Sequence, residues 1–501
     1  MTITKRVSRL GSDLVSFVKG IRLKDFYPSE ERIALVSVSQ SKWHLLAPLA
    51  IIAAVGVNWI LLPADRGTDR LGLFYGMGAI VLMSSTLLLA SRLPLLDRLF
   101  GGFDRVYIWH RWFGIASIVL LWLHAGAEND VANGVFPFGR NAEETGTGLA
   151  ETAETLFIVL IVISILRILP YRIWRYSHLL LIVPFTFSVI HVVTAEQPFA
   201  LGSPDSLWLW TWSIIGFFAF FYRVLFIDSG LLDIRATVVK VEHTADAVAV
   251  TIKRNDDKPW KSLKPGQFVF IRAALPWHER HPFTVINDDA HASQIKVIFK
   301  EVGDWTIRIA PQLQEGKKIA VSRPLGHLSV FTQGQQDVWI AGGSGVTPFL
   351  FSEELIKKID IPPRMIYFYR GAESAIGLTT LRRWSNAGLL DLTEVDTSAG
   401  RPNTKKVISE LINPGDHVAV CGPRALVVAT IGLVRKNKAE SIAFELYDYR
   451  SPYGPNLNPI LAAIVRFVLP TAWLKGGSWL IEEQPEKAPS SGHVATINVE
   501  L

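Results

Sequence analysis

The sequence predicts a multi-domain chain: a six-helix transmembrane bundle, then a cytosolic antiparallel β-barrel, then an α/β domain. Three observations predict it. Nearly all the long apolar runs of the 501 residues fall within 43–226. Residues 233–330 alternate apolar and polar positions in short runs, Thr237–Val241, Ala247–Lys253, Gln267–Arg272 and Gln294–Phe299, with turn residues between them. Residues 335–450 read as soluble α/β chain, in which the apolar run Asp337–Ala341 leads into a glycine-rich turn. The boundaries that follow are 1–43 for a cytosolic N-terminal segment, 44–226 for the bundle, 233–330 for the barrel, 335–450 for the α/β domain and 451–501 for a C-terminal extension.

The bundle rests on six apolar segments, 44–62, 72–90, 106–124, 153–169, 176–193 and 207–226. Each is long enough to cross about 30 Å of hydrocarbon at about 1.5 Å per residue. The flanks orient them. Arg92, Arg98 and Arg105 precede the third segment, Arg167, Arg172 and Arg175 lie between the fourth and fifth, and the N-terminal stretch is strongly basic. The opposite loops are acidic or neutral: 125–152 sets Glu128, Asp130, Glu143, Glu144 and Glu151 against Arg140, and 194–206 has no Lys or Arg. Positive loops stay inside, so the N-terminus is cytoplasmic and six crossings return the soluble half to the cytosol. These loops account for much of the +6 net charge, and no nucleic acid is needed to explain it. The first forty residues lack a long apolar core and do not read as a cleaved signal peptide. The single cysteine, Cys421, excludes disulfides, iron–sulfur clusters and covalent c-type haem within the chain.

Histidines inside apolar helices point to chemistry. The third segment carries His110 and His124, fourteen residues apart, and the fifth carries His178 and His191, thirteen apart. The two segments run the same way, so His110 and His178 form a layer near the cytoplasm and His124 and His191 a second layer near the outer side. Two imidazoles from facing helices in each layer suit bis-histidine ligation of two b-type haems, roughly 20 Å apart along the axis. One detail resists: thirteen residues at about 100° each miss a full set of turns by about 140°. Pro184 lies within that interval and offers a place for the winding to change. Phe185, near the midpoint, is placed either between the haems or in ordinary aromatic packing.

The paired spacings, six helices and appended cytosolic domain resemble the ferric reductase and NADPH oxidase superfamily over most of residues 44–450. In that family the matching histidines ligate two b haems. The resemblance extends through the barrel. Lys264-Pro265-Gly266-Gln267-Phe268 is similar to the turn-and-strand entry of ferredoxin-reductase-type flavin domains. His281-Pro282-Phe283-Thr284 matches the flavin motif of the oxidase branch, and Gly303-Asp304-Trp305-Thr306 matches the segment that holds the FAD pyrophosphate at a helix start.

In the α/β domain, Gly342, Gly343 and Gly345 allow a tight turn and close approach to a pyrophosphate. Thr347 is a candidate N-cap and Pro348 a first helical residue. This is not the GxGxxG fingerprint, but it resembles the nicotinamide turn of ferredoxin-reductase-like modules. Arg370, at the end of the strand Met365–Tyr369, is where a 2′-phosphate partner is expected, which favours NADPH while leaving NADH possible. Arg401, within Gly400–Asn403, resembles an oxidase segment near the cofactor. By the same resemblance Cys421, with Gly422 and Pro423, lies beside the nicotinamide. Glu445 and Tyr447 close the domain, the aromatic stacked on the isoalloxazine, with Tyr449 as its rival. Residues 459–481 are apolar but interrupted by Arg466, Pro470 and Lys475, and are expected at a surface or membrane interface.

The function this implies is electron transfer from cytosolic NADPH, through FAD and two haems, to an acceptor outside the lipid bilayer. Dioxygen and a ferric chelate both remain open as acceptors, with the His281–Thr284, Gly303–Thr306 and Gly400–Asn403 segments tilting the reading toward dioxygen. No obligatory protein partner is evident. A haem-binding membrane sensor with a degenerate flavin module is the alternative from another class.

Overall fold

A computed structural model of the protein describes residues 42–444 except 65–67, 128–130, 132–133, 167–170, 199–200, 244–246, 261–262, 273–279, 288–292, 302–303, 333 and 401. The apolar segments are helical. They form α1 (Leu46–Leu61), α2 (Arg70–Ala90), α4 (Phe103–Ala125), α5 (Arg140–Leu166), the pair α6 (Tyr171–Leu179) and α7 (Ile182–Thr194), and α8 (Pro204–Tyr222). A short α3 (Pro94–Phe100) lies before α4, and a π-helical turn, Arg223–Asp228, extends α8. Four helical stretches among the described residues are long and apolar enough to cross a membrane: Arg70–Ala90, Arg105–Ala125, Trp174–Thr194 and Pro204–Asp228. The shorter apolar α1 lies beside them. The chain is an integral membrane protein on this ground and on the family match described below.

Local chemistry fixes the helix starts. Asp69 caps α2 by accepting from the amides of Leu71 and Gly72, both at 3.1 Å. Ser203 caps α8, with Pro204 at its first position. Large apolar side chains such as Ile60, Ile214 and Phe218 face outward, where hydrocarbon replaces water as solvent. Polar groups inside are paired: Trp208 Nε1 donates to buried Asn58 Oδ1 at 3.0 Å, tying α8 to α1.

The second half begins with a closed antiparallel barrel, β1 (Ile234–His243), β2 (Ala247–Arg254), β3 (Phe268–Arg272), β4 (His281–Asn287), β5 (Gln294–Lys300) and β6 (Lys318–Val321), in the order β1-β2-β5-β4-β3-β6. Closure leaves no unpaired edge. Its core holds Val250, Ile252, Val269, Phe283 and Val297. A five-stranded sheet follows: β7 (Asp337–Gly342), β8 (Arg364–Tyr369), β9 (Asp391–Asp396), β10 (His417–Cys421) and β11 (Ser441–Phe444), all parallel, in the order β11-β10-β7-β8-β9. The described positions of β7 and β10 are buried throughout, as central parallel strands with both faces covered must be. The strand order reverses between β7 and β10, so the crevice at their carboxyl ends is the switch point where such sheets bind ligands.

The barrel sits on one end of the bundle. Phe268 and Phe270 of β3 share one apolar cluster with Leu89, Leu96, Phe100, Phe103 and Val106. His327, after β6, pairs with Asp97 of α3 at 2.9 Å.

Candidate functional site

The four membrane histidines meet in two pairs. The rings of His110 and His178 have centroids 6.1 Å apart, and those of His124 and His191 are 6.3 Å apart. The chain breaks between α6 and α7, within the thirteen-residue interval. Pro184 has no amide hydrogen to give the carbonyl of Leu180. Val183 takes that carbonyl instead, at 2.9 Å, and Leu181 bonds back to His178. Both are three-residue closures, which wind the chain more tightly than an α-helix and supply extra rotation.

A ring nitrogen of three of these histidines is already committed. His110 Nδ1 lies 2.8 Å from the Thr86 carbonyl, His124 Nδ1 lies 2.9 Å from the Gly72 carbonyl, and His178 Nδ1 lies 3.0 Å from Ser164 Oγ. Contacts of this kind fix tautomer and ring orientation, directing Nε2 toward the facing histidine. Gly76 makes room: a β-carbon there would stand 2.8 Å from the His124 ring. Phe185 is buried between the layers, 5.1 Å from Phe217 and against Gly216.

Between the inner pair and the barrel lies a buried knot of charge that the sequence reading did not foresee. Asp228 pairs with Arg175 at 3.1 Å and Arg223 at 3.0 Å. Asp233 pairs with Arg272 at 3.4 Å and with Arg280. Arg272 also donates to the carbonyls of Asp228 and, at 2.9 Å, Ile227. Arg92 joins from the end of α2. Among these described groups, five guanidiniums face two carboxylates. Burial comes first, and the guanidiniums of Arg92 and Arg223 add to it, in pushing Arg280 down to about 9. Burial, opposed by Asp228 but aided by Arg175 and Arg223, brings Arg272 down to about 10. A buried surplus of one sign is costly until an opposite charge enters. Asp228 and Asp233, bracketing the link between the two halves, were its sequence signal.

On the barrel, His281, Pro282, Phe283 and Thr284 open β4 opposite β3, with Phe270 registered against Pro282 and Phe268 against Thr284. Phe283 and Thr284 are buried. A helix, α9 (Asp304–Ile309), begins within the expected pyrophosphate segment and contains Asp304, Trp305 and Thr306; Gly303 lies outside the described residues.

At the sheet's switch point, the glycine turn and the Cys421 segment come together. Ala341 is registered against Cys421. A β-carbon on Gly345 would collide with the Cys421 carbonyl, and one on Gly342 would stand 2.9 Å from Pro423 Cδ. Gly343 has φ +56°, where glycine pays no steric penalty. Gly422 closes the same contact, and Cys421 is buried and in no disulfide. One expectation is corrected. Thr347 does not cap a helix and Pro348 does not begin one. Gly343–Phe349 is a 3₁₀ run, Thr347 Oγ1 donates back to the Ser344 carbonyl at 3.0 Å, and the next helix, Glu353–Ile356, is capped by Ser352. Proline tolerates the shorter winding, and the extended Leu350 then breaks it. Arg370 is exposed at the carboxyl end of β8, on the same edge of the sheet. Arg401, Glu445, Tyr447 and Tyr449 lie outside the described residues, as do 1–41 and the extension 451–501.

Residues 75–189 match the family model described as ferric reductase like transmembrane component, and residues 232–341 match that of an FAD-binding domain. The chain is similar to the carnitine monooxygenase reductase subunit of Acinetobacter baumannii, 26% identical over 205 residues covering 40% of this chain and 64% of that protein. It is similar to ferric/cupric reductase transmembrane component 7 of Saccharomyces cerevisiae, 24% identical over 312 residues covering 57% of this chain and 47% of that protein. The chain thus spans less than two thirds of the length of these curated relatives. Among solved structures, phthalate dioxygenase reductase is similar at 20% identity and a TM-score of 0.37, covering 42% of this chain and 67% of that one.

Proposed function

On the premise that a ferric-reductase-like transmembrane component joined to an FAD-binding domain places this oxidoreductase in the ferric reductase and NADPH oxidase superfamily, we propose that it moves electrons from cytosolic NADPH across the bilayer by way of FAD and two b-type haems, with dioxygen as the acceptor. The observation that carries the reading is the pair of histidine layers. An iron atom bound at about 2 Å by each of two imidazoles, with about 1 Å more from nitrogen to ring centre, asks for centroids roughly 6 Å apart. Both pairs stand at that separation. The bundle then spans six times, with both ends of the chain cytoplasmic.

The other residues take roles that fit this path. His110 and His178 hold the inner haem, His124 and His191 the outer one. His281–Thr284 and the amides at Gly303–Thr306 hold FAD. The guanidiniums of Arg272 and Arg280, on the barrel beside β4, suit an anionic group of a cofactor. Gly342, Gly343, Gly345 and Gly422, with Pro423 beside them, form a wall of low relief against which a nicotinamide dinucleotide can lie; Thr347 and Pro348 shape that turn. Arg370 offers a cation for a 2′-phosphate, with Arg401 beside the same cofactor. Cys421, Glu445 and Tyr447 surround the nicotinamide and flavin rings. When bound, the flavin supplies the conversion of a hydride into single electrons and the haems carry them. The protein's part is placement, exclusion of water and electrostatics.

Similarity to the yeast ferric/cupric reductase favours a second reading, a ferric chelate as acceptor. One experiment separates the two. Purified, FAD-supplemented protein is reduced with NADPH without oxygen, then exposed to air or, separately, to a ferric chelate. Rapid haem reoxidation by air with superoxide release is expected. Fast reoxidation by the chelate alone gives the second reading, and no haem reduction by NADPH removes both.

A further inference from the structure

We propose that Arg92 and Tyr107 bridge the flavin barrel and the inner histidine layer, as a positioning pair that fixes the separation across which electrons leave the barrel. This rests on the electron-transfer reading above and names the contact that serves it.

Arg92 stands just beyond α2 with φ +59°. A non-glycine residue is uncommon there and persists when its surroundings hold it. Its surroundings do. Arg223 Nη1 donates to the Ala90 carbonyl at 3.1 Å, two residues upstream, and the Leu93 amide bonds to Ser91 Oγ at 3.4 Å. From this pinned backbone the guanidinium reaches both halves of the molecule. Its Nε donates to the Tyr107 hydroxyl at 2.9 Å. Its Cζ lies 4.4 Å from the centre of the Phe270 ring.

Each partner neighbours a segment assigned above to a cofactor. Phe270 is registered against Pro282 in the flavin strand β4. Tyr107 precedes His110 on α4 by one turn, and the two rings meet edge to face with centroids 6.4 Å apart. Phe270, Arg92, Tyr107 and His110 therefore form a continuous line from barrel to inner layer. The chemistry demands arginine. A planar guanidinium can lie over an aromatic face and donate along a fixed direction at once, whereas an ammonium is a point charge on a flexible stem. Electron tunnelling falls steeply with distance, so a loosened contact slows this step alone.

Arg92→Gly is the informative variant. Glycine adopts the positive φ freely, so the backbone survives while the bridge is lost. Flavin bleaching and haem reduction are followed separately after anaerobic mixing with NADPH. Flavin reduction is expected to stay at the wild-type rate and haem reduction to slow by roughly tenfold or more, as small misplacements of reacting groups do. Tyr107→Phe keeps the ring and loses the hydroxyl, and is expected to slow haem reduction less. A readout independent of cofactors accompanies it. Spin labels on Leu95→Cys of α3 and Lys318→Cys of β6, both exposed positions, report the bundle–barrel distance in the cofactor-free protein. Its distribution is expected to broaden in Arg92→Gly. Wild-type haem reduction in that variant, an equal slowing of flavin reduction, or an unchanged distance distribution overturns the proposal. If wild-type protein reduces no haem, the electron-transfer reading fails instead, and the distance distribution alone decides whether Arg92 is the bridge.

Discussion

In the bundle, the groups that face one another are large side chains: four imidazoles, three of them oriented by a contact of their Nδ1 with a carbonyl or a hydroxyl. At the switch point of the sheet, the facing groups are largely backbone: Gly345 against the Cys421 carbonyl and Gly422, and Gly342 against Pro423 and Gly422. The difference follows from what each place can hold. A metal needs a few directed lone pairs at a fixed distance, and two facing helices can present them. A dinucleotide phosphate needs many amide hydrogens and room to approach, which any β-carbon would take away. The first site is robust to changes in its neighbours and fragile at four residues. The second tolerates nothing larger than hydrogen at its wall.

The sharpest break in that comparison is His178→Ala. It is expected to remove the inner haem and halve the haem content, while NADPH still bleaches the flavin; a pyridine haemochromogen assay checks it. Next is Gly345→Ala, where the added methyl meets the Cys421 carbonyl. Forced overpacking of this kind costs about 1–3 kcal/mol, so thermal unfolding of the α/β domain should fall and nicotinamide affinity with it, with haem content unchanged. Calorimetric titration with NADPH measures the second effect. Gly76→Ala tests whether the membrane site also uses backbone room. Its methyl would press on a ring already held by Gly72, so the outer haem spectrum should shift while the inner one stays.

The smallest effect belongs to the rim of the crevice. Glu394 accepts from Arg382 at 2.8 and 2.7 Å and from the Tyr369 hydroxyl at 2.6 Å. The Arg382 hydrogen bonds hold its carboxyl below the ordinary 4.5 against some burial, with Tyr369 helping. A carboxyl with a depressed folded pKa contributes stability that is complete above its ordinary pKa and is lost as pH falls through the folded value. The stability difference between wild type and Arg382→Ala should therefore be constant above pH 4.5 and shrink below it. Half-exposed pairs of this sort contribute less than about 1 kcal/mol. A difference that grows on acidification would contradict the pairing.

Much of this was written locally. The apolar runs became helices because any chain crossing hydrocarbon must satisfy its own backbone. The alternating runs closed into a barrel, and β7 and β10 ended where their glycines stand. His110 and His124 were legible as two layers because fourteen residues return to one face of a helix. The helix start at Thr347 and Pro348 was misread because capping residues look alike whether an α-helix or a 3₁₀ turn follows. The choice lay with packing against Cys421, on a strand remote in the chain.

What the sequence alone determined, then, is what depends on period and composition: the membrane half, the barrel and the α/β domain. Tertiary structure decided what depends on distance between remote segments. It brought His178 opposite His110 and His191 opposite His124, with a break in the helix at Leu180, Val183 and Pro184 between them. It gathered Arg92, Arg175, Arg223, Arg272 and Arg280 around Asp228 and Asp233, although each arginine alone reads as an ordinary surface or positive-inside charge. Periodicity is carried by neighbours in the chain, whereas a buried charge takes its meaning from groups that only folding brings within reach.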